Sequence, residues 1–419
     1  MTPTSRRPAA AALGLALALA AAAGCAPDDS AGGSTDASGH TTLNWMMWSG
    51  GTAERDAWQR AADAVTEARP DITVNLETTS FDDYFTKIGT RMAAESAPCI
   101  VSAQSLRLGA IQEGMRPIDD LIEARGTDLG GFEPAALEGL AADGRQYALP
   151  YDSGPLIMLY NKDRFAEAGV PEPEPGWTID DFEAAAHELT AGDDHGVSAF
   201  PSDTQMFPLV LTYSGAQPVT PDRTLALDSA PIVDGVTWYT ELVHDQQVAP
   251  PLAGNDSLFP VNQFVAGNTA MVVDGPWDIL NVSSQTDFEL GMVPLPAGPD
   301  GSRTLSAGSG FGVSRSCPVP EQAYAAIEIL TGQDVLTDLA ASGRAFPART
   351  AAQQAWLDNA PAGAGAALSA ASATAEPLRT TANWTQVTTD LIQYGVPAFN
   401  GATPAADILR QVQSEHARG

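Results

Sequence analysis

The chain has 419 residues, 44% of them hydrophobic, which is more than one simple core organises and suits two domains. Its 52 Asp and Glu against 21 Lys and Arg give a formal charge of −31, which argues against nucleic acid or anionic lipid as partners and suits a soluble exported protein. With five histidines and no HExxH, GxSxG, CxxC or P-loop pattern, the sequence offers no hydrolase, metal, redox or nucleotide chemistry to build on. A glycosidase acid pair has no support either, because among so many acids two can always be imagined to meet.

The first 24 residues read as a lipoprotein signal peptide. Arg6 and Arg7 are the positive region, Pro8 to Ala23 is Ala/Leu-rich and uncharged, and Ala22-Ala23-Gly24-Cys25 resembles a bacterial lipobox that would lipidate Cys25. An ordinary secretory signal cleaved near Ala23 is the alternative. Residues 25–41 are rich in Gly, Ser, Asp and Thr without periodicity and read as a flexible tether. In an oxidising compartment the two remaining cysteines, Cys99 and Cys317, suggest a disulfide, with two buried thiols as the bland alternative.

From Thr42 the pattern alternates. Thr42 to Trp48 is a strand, Ala53 to Arg69 a helix with Trp58, Ala62 and Val65 on one face, and Ile72, Val74 and Leu76 the inward positions of a second strand. Asp82 to Ala94 is helical, and Ile100 to Ala103 is a third strand. This order predicts a parallel sheet covered by helices, with ligands beyond the carboxyl ends of the strands. Thr178 and Asp181 predict a capping box at the start of a later helix. Ala270 to Asp274 and Leu290 to Val293 read as buried strands, and the chain ends in helices from about Ala351 onwards.

Between Gly144 and Val170 the chain reads GRQYALPYDSGPLIMLYNKDRFAEAGV: two short apolar strands joined through Tyr151-Asp152-Ser153-Gly154, then a helix stopped by Gly169. This stretch resembles the lobe-to-lobe crossover of the extracellular solute-binding proteins of ABC importers, in the carbohydrate-binding family that includes maltose-binding protein. Counterparts of that family's later patterns occur around Gly275-Pro276-Trp277, Gly308-Ser309-Gly310 and Pro347. The resemblance implies a two-lobed α/β fold of the periplasmic-binding-protein type, with discontinuous lobes joined by a three-crossover hinge. Lobe 1 would comprise 42–151 plus 309–341, and lobe 2 156–304 plus 345–419. It further implies a monomer without enzymatic activity or cofactor. Such a protein binds a sugar, with glycerol phosphate or a uronate as alternatives, and serves ABC permease subunits from a lipid anchor on the outer face of the cell membrane.

A sugar cleft needs flat aromatics for C–H faces and short polar groups for hydroxyls. In the family the tryptophan matching Trp277 stacks on the ligand; a Trp packed on the core is the alternative. Further candidates are Trp48, Tyr151, Asp152, Gln104, Ser105, Gly308, Ser309, Trp384 and Arg349. Asp152 could serve the ligand or the hinge, and Glu54 reads as a helix-dipole residue. Trp45, Trp58 and Tyr160 read as core.

Overall fold

The computed structural model describes residues 32–417. In chain order the strands are β1 (Gly33–Thr35), β2 (Thr41–Trp48), β3 (Ile72–Thr79), β4 (Ile100–Gln104), β5 (Ala141–Ala142), β6 (Arg145–Gln146) and β7 (Ala148–Pro150). They continue with β8 (Ile157–Asn161), β9 (Met271–Asp274), β10 (Leu290–Val293), β11 (Thr304–Ser306), β12 (Ser309–Val313) and β13 (Ala375–Pro377).

Lobe 1 is built on a sheet with the order β1-β2-β4-β12-β7, and β3 joins the other edge of β2. Parallel pairing holds where it is expected, between β2 and β3 and between β2 and β4. The sheet is nevertheless mixed, because β12 returns from lobe 2 and runs antiparallel to both β4 and β7. Trp45, Trp58, Tyr84 and Phe311 are fully buried in its core. The Thr52–Ala68 helix covers the sheet through Ala57, Trp58, Ala61, Ala62 and Val65, at helical spacing.

Gly33–Thr35 corrects the expectation of a tether up to residue 41. These residues pair antiparallel with Leu43 to Thr41, along the part of the β2 edge that β4 leaves open. A turn stapled by Asp36 Oδ1, which accepts from the backbone N–H of Ser38 and His40, carries the chain from β1 into β2. Cys25 and the signal segment lie outside the described residues.

Lobe 2 holds an antiparallel sheet ordered β10-β8-β9. Asn161 ends β8 and caps the next helix, its Oδ1 accepting from Arg164 N at 3.0 Å. Thr178 and Asp181 form the reciprocal capping box at the start of the Ile179–Glu188 helix. Helices Met206–Ser214, Ala230–His244, Trp384–Phe399 and Ala405–His416 pack into one apolar cluster with Tyr160 and Phe182. Lobe 1 contributes Leu106, only 2% exposed, to that same cluster, so the lobes touch there.

Three segments pass between the lobes, and the first lies between the other two. On one side Tyr151 N donates to Ser309 O (2.9 Å), Ala307 N to Gly154 O (2.9 Å) and Leu156 N to Leu305 O (3.0 Å). On the other, Ser153 N donates to Phe346 O (2.9 Å) and Ala348 N to Tyr151 O (3.1 Å). Gly154 has to be glycine here: a Cβ would stand 2.0 Å from Ala307 O and 2.6 Å from the Trp277 ring. Cys99, just before β4, and Cys317, after β12, are joined in a disulfide with Cα atoms 4.7 Å apart.

Candidate functional site

Strand β4 ends at Gln104, β9 ends at Asp274, and the first hinge segment passes beneath the Trp277 ring at Gly154. Strand β9 ends at Asp274, Gly275 caps the Pro276–Gln285 helix, and Trp277 stands in its first turn. The Trp277 ring lies against the bare backbone of Gly275 and Gly154, where a Cβ would come within 2.3 and 2.6 Å of it. Its indole is 37% exposed, whereas the other seven tryptophans are buried. A flat, half-open aromatic at the meeting point of lobe 2 and hinge is what stacking on a sugar ring requires.

Asp152 ties the hinge together. Its Oδ1 accepts from Ser309 N at 2.5 Å in the second crossover, and its backbone bridges to Pro347 in the third. Arg344, also in the third, lies close enough to favour its charged form. Loss of hydration dominates, however, and pushes the Asp152 carboxyl up to about 7. Arg344 is held on a second acid: its guanidinium lies 4.9 Å above the Trp58 ring and its Nε is 2.6 Å from Glu54 Oε1. Glu54 Oε2 also accepts from Gly50 N at 2.5 Å. Glu54 therefore fastens the third crossover to lobe 1, rather than serving the helix dipole alone.

The raised carboxyl has a measurable consequence. An aspartate with a native pKa near 7, against about 3.9 unfolded, contributes stability that is complete below pH ~4 and lost as pH rises through ~7. Asp152→Asn removes that dependence. Thermal unfolding of both proteins from pH 4 to 8 should show the variant gaining on the wild type as pH rises, and a constant difference would contradict the assignment.

Several sequence candidates are engaged within the protein itself. Trp48 is 6% exposed and packs edge-on against Phe81 (5.5 Å) and Tyr84 (5.1 Å), so it belongs to the lobe 1 core. Tyr151 is stacked on Phe311 at 4.9 Å and buried. Trp384 is buried too, its Nε1 donating to Asp203 Oδ2 at 3.3 Å. Arg349 Nε donates to Thr331 O and its guanidinium lies 3.9 Å from the Phe132 ring centre, which pins the third crossover to lobe 1. Ser105 and Gly308 satisfy each other, Ser105 N donating to Gly308 O and Gly308 N to Ser105 Oγ. Ser309 is spent on Asp152. Gln104, half-buried, accepts from Arg107, whose guanidinium sits over Phe81 (5.2 Å) and Phe85 (5.3 Å).

Sequence reasoning missed Arg344, although a lone arginine within an inferred crossover was a usable signal. It also missed Asp274 and Asp278, which flank Trp277. Asp274 is 5% exposed, its Oδ1 accepting from Gly275 N at 2.7 Å, and Asp278 accepts from Asn281 Nδ2 at 2.9 Å. Burial and the neighbouring charge of Asp278 hold the Asp274 carboxyl well above the usual range.

Residues 49–336 match the family described as bacterial extracellular solute-binding protein. The chain belongs to that family. A structure of an ABC substrate-binding protein from Listeria monocytogenes in complex with cycloalternan superposes with a TM-score of 0.79 at 23% identity, covering 89% of this chain and 97% of that one. A lactose-binding protein of Rhizobium radiobacter is 24% identical over 313 residues, 70% of this chain and 72% of its own. Against a binding protein of Brucella abortus this solute-binding protein is 23% identical over 253 residues, 59% of the chain, and spans 61% of that relative's length.

Proposed function

We propose that this solute-binding protein captures a sugar, a di- or oligosaccharide, between its lobes and delivers it to the transmembrane subunits of an ABC importer. The observation that carries the reading is Trp277, the one tryptophan with an open indole face among the described residues, mounted where lobe 2 meets the hinge. The lactose and cycloalternan named for its relatives support it. Closure follows from contacts that the ligand makes with both lobes only when they approach, so that binding shifts the population to the closed form. The protein acts as a monomer and performs no chemistry on the ligand. We place it outside the cell, held to the membrane through Cys25, with lobe limits near 42–151 plus 309–341 and 156–304 plus 345–419.

Thermal unfolding of the chain from Ala26 against mono-, di- and oligosaccharides and sugar phosphates tests this. A ligand at about 100 times its dissociation constant adds about 2.7 kcal/mol, roughly a few degrees in Tm. One neutral sugar should produce that shift; a shift with sugar phosphates alone would remove the assignment.

A further inference from the structure

Lobe 2 carries a groove of about 650 Å³, lined from the Lys162–Ala168 helix, the Ile179–Glu188 helix and the loop between them. Its floor is apolar, made by the buried rings of Phe165 and Trp177 with Val170, Ala184 and Ala185. Trp177 is fixed there through its Nε1, which donates to Pro294 O at 2.9 Å. The rim is acidic. Glu172, Glu174, Asp181 and Glu188 are all exposed, and no lysine, arginine or histidine lines the groove with them. The cations of the first helix are turned to other partners. Lys162, whose charge reaches Glu172, is tied to Glu289 at 2.6 Å, and Arg164 donates to the carbonyls of Gly267 and Leu189. Along the loop, Pro171, Pro173 and Pro175 alternate with the two glutamates. Proline has no N–H and a fixed φ, so this edge is held extended and presents carbonyls with few donors. The groove thus combines an apolar floor with a rim that can only accept.

We propose that this groove docks an extended basic segment of another protein, its arginines or lysines spaced by bulky apolar residues. The cationic heads meet the rim carboxylates in charge-assisted hydrogen bonds, and an apolar residue between them covers the floor. A second copy of this chain, with its formal charge of −31, and an anionic lipid surface would both bring like charge to the rim. Every lining residue falls between 165 and 188, outside lobe 1 and outside the three crossovers. Closure of the lobes therefore leaves the groove as it is. A partner seated there has no differential affinity for the open and closed forms, so it holds the protein whether or not solute is bound. Salt weakens the contact, because the rim is exposed.

The test is fluorescence anisotropy of a labelled nine-residue peptide that alternates arginine and leucine, titrated with the chain from Ala26. A second peptide carries citrulline for arginine, which keeps the shape and removes the charge. The arginine peptide should bind about tenfold or more tightly than the citrulline one. Glu174→Gln/Glu188→Gln should weaken it about three- to tenfold, the sum of two exposed charge pairs. Ala184→Lys, which sets a cation among the rim acids from an exposed helix position, should abolish it. Removing the same charge from exposed positions of lobe 1, in Glu113→Gln/Glu123→Gln, should leave binding within about twofold, because distant charges are screened. Saturation with the sugar that raises the Tm should likewise leave it unchanged. Equal binding of the citrulline peptide, or an equal loss in the lobe 1 pair, would mean diffuse attraction to an acidic surface and overturn the site. An affinity that depends on the sugar would overturn its confinement to lobe 2.

Discussion

Trp277→Ala should abolish the sugar-dependent rise in Tm and weaken binding by about tenfold to a hundredfold, the loss expected when a large apolar contact of about 1.5–3 kcal/mol goes. Without ligand the variant should stay folded and lose about 1–2 kcal/mol, because the indole is partly open but packs on the backbone of Gly154 and Gly275. Trp48→Ala and Trp384→Ala are the contrasting controls. Both side chains are buried, so each should cost about 3–5 kcal/mol of stability, as deletion of a core aromatic does. Titration and unfolding of the three variants check this; sugar binding that survives in Trp277→Ala would move the stacking site elsewhere.

Breaking the bond between Cys99 and Cys317 should lower stability by roughly 5 kcal/mol, the chain-entropy value for a loop of 218 residues. The loop is long because it contains β5 to β11 and returns as β12, so the bond joins two neighbouring strands of lobe 1 that are distant in sequence. Loss of the bond should therefore loosen the seam between β4 and β12 from its Ile100–Val313 end, the end away from the second crossover. Scanning calorimetry with and without reductant, and of the Cys99→Ala/Cys317→Ala protein, measures it. An unchanged Tm on reduction would mean that the bond carries no stability.

Much of the scaffold was legible because it rests on local patterns. The strands at 148–150 and 157–161, the Asn161 cap and the Thr178–Asp181 box each depend on neighbours in sequence. The three residues of β1 gave no such signal: Gly33-Ser34-Thr35 is a strand because β2 has an unpaired edge there, not because of its own residues. The antiparallel return of β12 was hidden for the same reason, being decided by a pairing between residues some 200 apart.

The place of Trp277 was legible, because a strand end, a Gly-Pro turn and a helix start fix the position of the indole. At Trp48, Tyr151 and Trp384 the sequence places an aromatic at an element end but not the direction it faces. That direction is set by Phe81 and Tyr84, by Phe311 and by Asp203 respectively. Glu54 and Arg344, and the Asp152 carboxyl between its crossovers, acquire their roles only when distant segments meet. Hinge chemistry is thus tertiary, whereas the exposed tryptophan is marked locally.

The most direct test of the account is a titration of the chain from Ala26 with the sugar that raises its Tm, followed by recovery of that sugar. One molecule bound per chain, lost in Trp277→Ala and recovered chemically unchanged, is the predicted result. Recovery of a cleaved or altered sugar, or saturation only by an anionic solute, would contradict it.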